Sequence, residues 1–125
     1  MKLSVWLVED HPLNRELACD LLQVEGHQVT VAVDGAAFRR LLEGGPSPSI
    51  VLMDIGLPDA DGVALLGELR ALPRYSRVPV VALTAHALAG DEARYRAAGF
   101  DLVLTKPIQA RTFVAAIERL AGEKL

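Results

Sequence analysis

Short apolar runs alternate with helix-like patterns along the whole sequence, and this alternation constrains the fold more than any other feature. Between the runs, apolar residues recur at helical spacing, and glycine or proline ends most of the helical stretches. Strands that alternate with helices predict a parallel sheet that is covered on both faces and joined by right-handed crossovers. The predicted strands are Leu3–Val8, Gln28–Val33, Ile50–Met53, Val78–Leu83 and Leu102–Leu104.

The predicted helices cover residues 13–24, 35–43, 61–72 and 89–98, with a last one around Phe113, Ile117 and Leu120. The helix of residues 89–98 offers mainly alanine, and Tyr95 is its one large ring. Because little apolar area gives weak docking, and weakly docked elements are the ones that move, we expect this helix to belong to the part of the molecule that changes conformation.

Length and composition indicate one globular domain over residues 1–125. The chain is long enough to bury its own core, and 51% of its residues are hydrophobic and 23% charged. A net charge of -3 argues against a nucleic-acid partner. Its one cysteine, Cys19, cannot form an internal disulfide, no apolar run approaches a membrane span, and residues 1–5 are too short and strand-like for a signal peptide. We therefore predict a cytoplasmic protein with no membrane partner.

Polar residues follow four of the predicted strands. Glu9 and Asp10 follow the first strand, Asp54 the third, Thr84 the fourth and Lys106 the fifth. In a parallel sheet of this kind, ligands bind beyond the carboxyl ends of the strands. One acid after a strand is more often a helix cap or a solvated charge, but five such groups at one edge predict a functional site.

These residue types suit phosphoryl transfer with a metal ion. Clustered carboxylates repel one another unless a cation neutralises them, and hard oxygen ligands suit Mg²⁺. An ionised Asp54 is a suitable nucleophile for a phosphoryl group. Lys106 supplies a fixed positive charge for the phosphoryl oxygens, and the Thr84 hydroxyl supplies a hydrogen-bond donor.

The same segments resemble a known family, the receiver domains of two-component response regulators, over essentially the whole chain. The segments that carry the resemblance are Val8-Glu9-Asp10-His11, Met53-Asp54-Ile55-Gly56-Leu57-Pro58 with Asp61-Gly62, Thr84-Ala85 and Lys106-Pro107. The resemblance implies a three-layer, flavodoxin-like (βα)5 sandwich whose five parallel strands have the order 2-1-3-4-5.

The resemblance also implies residue roles. Asp54 would be the phosphoacceptor, and Asp10, Asp54 and the backbone carbonyl of Gly56 would hold Mg²⁺, with Glu9 acting mostly through a metal-bound water. Lys106 would contact the phosphoryl group, and the Lys106–Pro107 peptide bond would be cis. Thr84 would move toward the phosphoryl group and report the switch.

Partners follow from the same resemblance. A sensor histidine kinase or a histidine phosphotransfer protein would donate the phosphoryl group and dock on the first helix around residues 13–17. A downstream protein target would read a surface formed by helix 4, strand 5 and helix 5. The domain would catalyse only its own phosphorylation and dephosphorylation and would turn over no external substrate. We expect a stand-alone regulator; a receiver from a hybrid sensor kinase is the alternative.

Three positions depart from the family pattern. Val103 stands three residues before the lysine, where an aromatic residue or histidine is common, so Thr84 cannot be coupled to the rotation of a ring there. Gly56 lies two residues after the phosphoacceptor, and His86 lies two residues after Thr84. These two positions flank the path of the hydrolytic water, and we hypothesise that they set the lifetime of the phosphorylated state.

Rival functions fit the residues less well. A dinucleotide-binding fold needs a glycine-rich loop after the first strand, where this chain has residues 9–14 with two acids. A haloacid-dehalogenase-like phosphatase needs a second acid at the position of Gly56. A pseudo-receiver that is never phosphorylated stays open because of Val103. Among the remaining residues, we expect Trp6 in the core or at a covered sheet edge and His27 at the surface.

Overall fold

The computed structural model describes residues 2–85, 88 and 90–123. Within these residues, five strands alternate with five helices, as the sequence predicts, and a short 3-10 turn at Pro73–Tyr75 is an addition. The strands are β1 Ser4–Val8, β2 Gln28–Ala32, β3 Ile50–Asp54, β4 Val80–Thr84 and β5 Leu102–Thr105. The helices are α1 Pro12–Val24, α2 Gly35–Gly44, α3 Gly62–Arg70, α4 Asp91–Ala98 and α5 Ala110–Glu123.

The strands form one parallel sheet with the order β2-β1-β3-β4-β5, which confirms the predicted topology. Every residue of β3 and β4 is buried, as expected for nearly all-apolar strands at the centre of a covered sheet. The register pairs Val8 with Met53, Asp54 with Leu83, and Thr84 with Thr105. The carboxyl ends of these strands therefore meet at one edge of the sheet.

Helices cover both faces and give three layers. Because side chains alternate along a strand, Trp6 and Met53 pack on one face with α2, α3 and α4, while Leu7 and Leu52 pack on the other with α1 and α5. Trp6 lies in the core, as predicted, and its indole N–H donates to the carbonyl oxygen of Pro46 at 2.9 Å.

Helix α4 is docked by one aromatic side chain. Of its residues only Tyr95 is buried, and its ring meets Phe100 edge to face at 6.2 Å between centroids. Gly90 and Gly99 flank the helix with φ of 96° and 119°, a conformation that favours glycine. The weak apolar docking expected for residues 89–98 is thus seen over 91–98, and Ala89 lies outside the described residues.

One expectation about the core was wrong. His27 is buried rather than at the surface. Its Nδ1 accepts a hydrogen bond from the Leu3 N–H at 3.1 Å, and its Nε2 lies 2.8 Å from a carboxylate oxygen of Glu118 in α5. The local sequence carries no sign of these partners, which are far away along the chain.

In the part of the chain that the structure describes, no helix combines the length and apolarity that a membrane span requires.

Candidate functional site

Three carboxylates meet at the carboxyl edge of the sheet. Glu9 and Asp10 directly follow β1, and Asp54 is the last residue of β3. One carboxylate oxygen from each of the three lies within 4.8 Å of the other two. The pairing of β1 with β3 in the sheet centre produces this cluster, because both strands end at the same level.

Lys106 joins two of these carboxylates. Its Nζ lies 2.8 Å from Oε1 of Glu9 and 3.0 Å from Oδ2 of Asp54. The Lys106 side chain is 13% exposed, against 1% for Glu9 and 6% for Asp54. The backbone N–H of Lys106 donates to the carbonyl oxygen of Thr84 at 2.8 Å, and the Lys106–Pro107 peptide bond is cis, as predicted. The end of β4 thus holds the lysine over the acidic cluster.

The charges of this group depend on one another. Burial raises the pKa of Glu9. Burial alone would raise the pKa of Asp54 as well, but hydrogen bonds with Glu9, Lys106 and the Gly56 N–H outweigh it, and the pKa is lowered. Burial opposes the charge of Lys106, yet its contacts with both carboxylates raise its pKa. Asp54 is therefore favoured as a carboxylate and Lys106 as an ammonium, and Glu9 takes up a proton more readily than Asp54 does.

The donor set at this edge fits Mg²⁺. Oε1 of Glu9 is buried and, within the described residues, makes no hydrogen bond beyond its ion pair with Lys106. Three carboxylates within reach of one another form an all-oxygen set, which Mg²⁺ prefers. Gly56 is exposed, and a Cβ at this position would meet no atom within 4 Å, so the space beside its backbone is open.

The loop of residues 55–61, between β3 and α3, folds back tightly on Asp54. The Gly56 N–H donates to Oδ1 of Asp54 at 3.1 Å, and the Gly62 N–H donates to the carbonyl oxygen of Ile55 at 3.0 Å. A Cβ on Gly62 would lie 2.7 Å from the carbonyl oxygen of Asp54, so only glycine permits this approach. The loop thereby carries Gly56 to the side of the carboxylates.

The proposed switch residues lie in different surroundings. Thr84 is buried at the end of β4, next to Leu83, which pairs with Asp54. Val103 is partly buried in β5 and packs against the core cluster that contains Tyr95 of α4. His86 lies outside the described residues. The structure therefore brings Glu9, Asp10, Asp54 and Lys106 into one cluster, with Gly56 and Thr84 at its margin and Val103 on the α4 side of the sheet.

Two residues of this region were missed at the level of the sequence. Arg15 in α1 donates to the backbone carbonyls of Asp10 at 3.2 Å and Glu9 at 3.4 Å, and so holds the acidic segment after β1. Asp59 in the loop accepts hydrogen bonds from the Gly35 and Ala36 N–H groups at the start of α2. For Arg15 the one available signal was its position five residues after Asp10, in the first turn of the helix that follows the acidic pair. For Asp59 the sequence offers none.

Apolar side chains stand exposed on α1 close to the acidic segment. Leu13 is 70% exposed and Leu17 is 39% exposed, one helical turn apart on the same face. This is the segment where the family resemblance predicts that the phosphoryl donor docks.

Comparison with known proteins gives one family. The model of the response regulator receiver domain matches residues 5–118. The polar-differentiation response regulator DivK of Brucella ovis is 33% identical over 123 residues, which are 98% of this chain and 99% of DivK.

Solved structures agree with this result. A receiver domain of a sensor histidine kinase from Pseudomonas aeruginosa PAO1, with a magnesium ion coordinated in its active-site cleft, is 34% identical with a TM-score of 0.86, covering 98% of this chain and 99% of that one. The chemotaxis protein CheY4 of Vibrio cholerae shares the fold with a TM-score of 0.85 at 22% identity, covering 96% of this chain and 99% of that one. The chain belongs to the response regulator receiver domains of two-component systems.

Proposed function

We propose that this receiver domain accepts a phosphoryl group on Asp54 in a Mg²⁺-dependent reaction. The observation that carries the proposal is the buried group of Glu9, Asp54 and Lys106, in which one ammonium lies within 3.0 Å of two carboxylates. Replacing buried ion pairs by apolar residues often leaves stability unchanged or improved, so stability alone does not explain why such a group is buried here. Its presence therefore indicates a functional role.

Asp10, Asp54 and the backbone carbonyl of Gly56 would hold Mg²⁺, with Glu9 acting through a bound water. When bound, the ion offsets the negative charge of the carboxylates and of the incoming phosphoryl oxygens. The magnesium ion in the cleft of the related Pseudomonas aeruginosa domain supports this assignment.

The donor would be a phosphohistidine of a sensor kinase or of a phosphotransfer protein. A carboxylate oxygen of Asp54 attacks phosphorus, so that a P–O bond forms while the P–N bond breaks and its electron pair goes to the imidazole nitrogen. Lys106 exchanges its contact with Asp54 for one with a phosphoryl oxygen, and Thr84 donates to another. The exposed Leu13 and Leu17 give the donor protein an apolar contact beside the site.

The output surface would consist of α4, β5 and α5. These elements border a groove of about 540 Å³ whose lining includes Leu102 and Ala115 together with the arginines at 96, 111 and 119. A phosphoryl group adds up to two negative charges at Asp54, and a difference of a few kcal/mol between two arrangements of the weakly docked α4 is enough to shift its population. Without an aromatic ring at Val103, the change must pass through backbone and packing shifts.

The domain would turn over no external substrate, since Asp54 itself is the acceptor and is restored by hydrolysis. Two predictions from the sequence remain predictions: residues 1–125 form one domain, and this domain is cytoplasmic. A pseudo-receiver that acts by protein contact alone is the rival, favoured by the missing aromatic at Val103.

Phosphate incorporation from acetyl phosphate tests the proposal. We expect labelling of the native protein that requires Mg²⁺, disappears with a chelator and disappears in Asp54→Asn. Asp61→Asn is the matched control, because it removes an exposed carboxylate of the same loop while keeping the side-chain oxygen that accepts the Val63 N–H. Absence of labelling in folded native protein would contradict phosphorylation at Asp54 and favour the pseudo-receiver.

A further inference from the structure

Asp59, at the tip of the loop of residues 55–61, reaches across to the start of α2. Its Oδ1 accepts the Gly35 N–H at 2.8 Å, and its Oδ2 accepts the Ala36 N–H at 3.1 Å. Both carboxylate oxygens are thus engaged by one helix end. A carboxylate at a helix N-terminus is favoured both by the unpaired N–H groups and by the helix dipole.

Helix α2 already has a cap from its own sequence. Asp34 precedes the helix, and its side chain accepts the Ala37 N–H at 2.8 Å. The two carboxylates therefore serve different amides, one local and one from a segment 24 residues away. The contact of Asp59 differs from that of Asp34 because it joins α2 to the loop that follows the phosphoacceptor.

The packing around this contact is close and needs glycine. A Cβ on Gly35 would lie 2.8 Å from the Cβ of Ala60 and 3.1 Å from Oδ1 of Asp59. At the other end of the loop, the Gly62 N–H is bonded to the Ile55 carbonyl. The loop is consequently closed at its base by the hydrogen bond between Gly62 and Ile55 and held at its tip by α2, and Gly56 lies between these two points.

We propose that Asp59 is a positioning residue for the Mg²⁺ site: its contact with Gly35 and Ala36 holds the loop so that Gly56 stands beside the carboxylates before an ion binds. This role rests on the proposed function, because it concerns the site that Mg²⁺ would occupy. Residues that orient metal ligands without touching the metal affect affinity because a loop that must be ordered on binding gives a weaker site.

Titration of the full chain with Mg²⁺ alone, followed by calorimetry, is the first arm of the test. We expect Asp59→Ala to weaken Mg²⁺ binding by about tenfold, the lower end of the range for such supporting residues. Asp59→Asn keeps one acceptor oxygen and should fall between Asp59→Ala and the native protein. The matched control is Asp34→Ala, which removes a cap from the same end of α2 and, among the described residues, no hydrogen bond to the loop, and it should bind Mg²⁺ with native affinity.

Amide exchange in the metal-free protein is the second arm. Faster exchange across residues 55–57 in Asp59→Ala, but not in Asp34→Ala, would show that the contact orders the loop before metal arrives. Native Mg²⁺ affinity in Asp59→Ala, or an equal loss of affinity in Asp34→Ala, would overturn the role of Asp59 while leaving the site intact. A native protein that binds no Mg²⁺ would overturn the metal site itself, and this role with it.

Discussion

Removal of the charge on Lys106 should destabilise the protein strongly and in a pH-dependent way. Lys106→Met keeps most of the side-chain volume but leaves two buried carboxylates without their shared cation. Loss of one partner from a buried ion pair typically destabilises a fold by about 3–5 kcal/mol, because the remaining charge stays desolvated. Exposures of 13% or less for all three side chains mean that solvent does little to screen this effect.

The pH dependence follows from the direction of each pKa shift. The pKa of Asp54 is lowered in the folded state, so its ion pair stabilises the fold above the unfolded value of about 3.9 and is lost as the pH falls through the folded value. The pKa of Lys106 is raised, so its contribution is complete below about 10.4 and is lost as the pH rises through the folded value. The contributions of Asp54 and Lys106 to the free energy of unfolding are therefore both complete near neutral pH.

At acidic pH, the difference in unfolding free energy between the native protein and Lys106→Met should become smaller. The pKa of Glu9 is raised, so this residue takes up a proton first as the pH falls. Once Glu9 is protonated, it no longer repels Asp54. In acid, Lys106→Met should therefore lose only about 1.5–3 kcal/mol of unfolding free energy, the value of one hydrogen bond to a charged group.

Urea unfolding without Mg²⁺ measures the difference in unfolding free energy between the native protein and Lys106→Met at pH 7.5 and at pH 4.5. Lys106→Arg, which keeps the positive charge, is the control. An equal loss at the two pH values, or no loss at pH 7.5, would refute the electrostatic account of this group.

Three other changes have expected outcomes. His27→Ala should lower the free energy of unfolding by about 1–3 kcal/mol in urea, because it leaves a buried backbone N–H unpaired; an unchanged value would contradict the buried contacts of the ring. Gly62→Ala should lower the free energy of unfolding by about 1–3 kcal/mol, because its Cβ would collide with the Asp54 carbonyl. Gly67→Ala, with open space around it in a helix, should raise the free energy of unfolding by up to about 1 kcal/mol. Equal effects of the two substitutions would argue against close packing at Gly62. Gly56→Asn, also in open space, should change the dephosphorylation rate of labelled protein, alone or with His86→Glu; an unchanged lifetime would end the hypothesis for these positions.

The sheet and the acidic edge were predictable because their signals are local. Each apolar run marks a strand, and the residue that follows it marks the edge, so Glu9, Asp54 and Lys106 could be grouped from the order of the elements alone. Their distances support the grouping, since Lys106 lies within hydrogen-bonding distance of both acids. The roles of these residues in catalysis stay predictions.

Contacts that join distant segments were not predictable in the same way. The burial of His27 depends on Glu118, which only the packing of α5 brings near. The hydrogen bonds that Asp59 accepts from the start of α2 depend on how closely the two loops approach each other, which the absence of a side chain at Gly35 permits. Neither residue type nor spacing in the sequence distinguishes these two residues from ordinary surface groups.

Location of the phosphoryl group tests the central claim most directly. Native protein phosphorylated with acetyl phosphate and Mg²⁺ would be treated with hydroxylamine, which converts an aspartyl phosphate to a stable hydroxamate, and the peptides would be sequenced by mass spectrometry. We expect the modification on Asp54 and none on Glu9 or Asp10, because the family resemblance gives Asp54 the phosphoacceptor role and its carboxylate lies 3.0 Å from the Lys106 ammonium, which would stabilise the phosphoryl oxygens. Modification at another acid, or at none, would contradict the assignment of Asp54 as the phosphoacceptor.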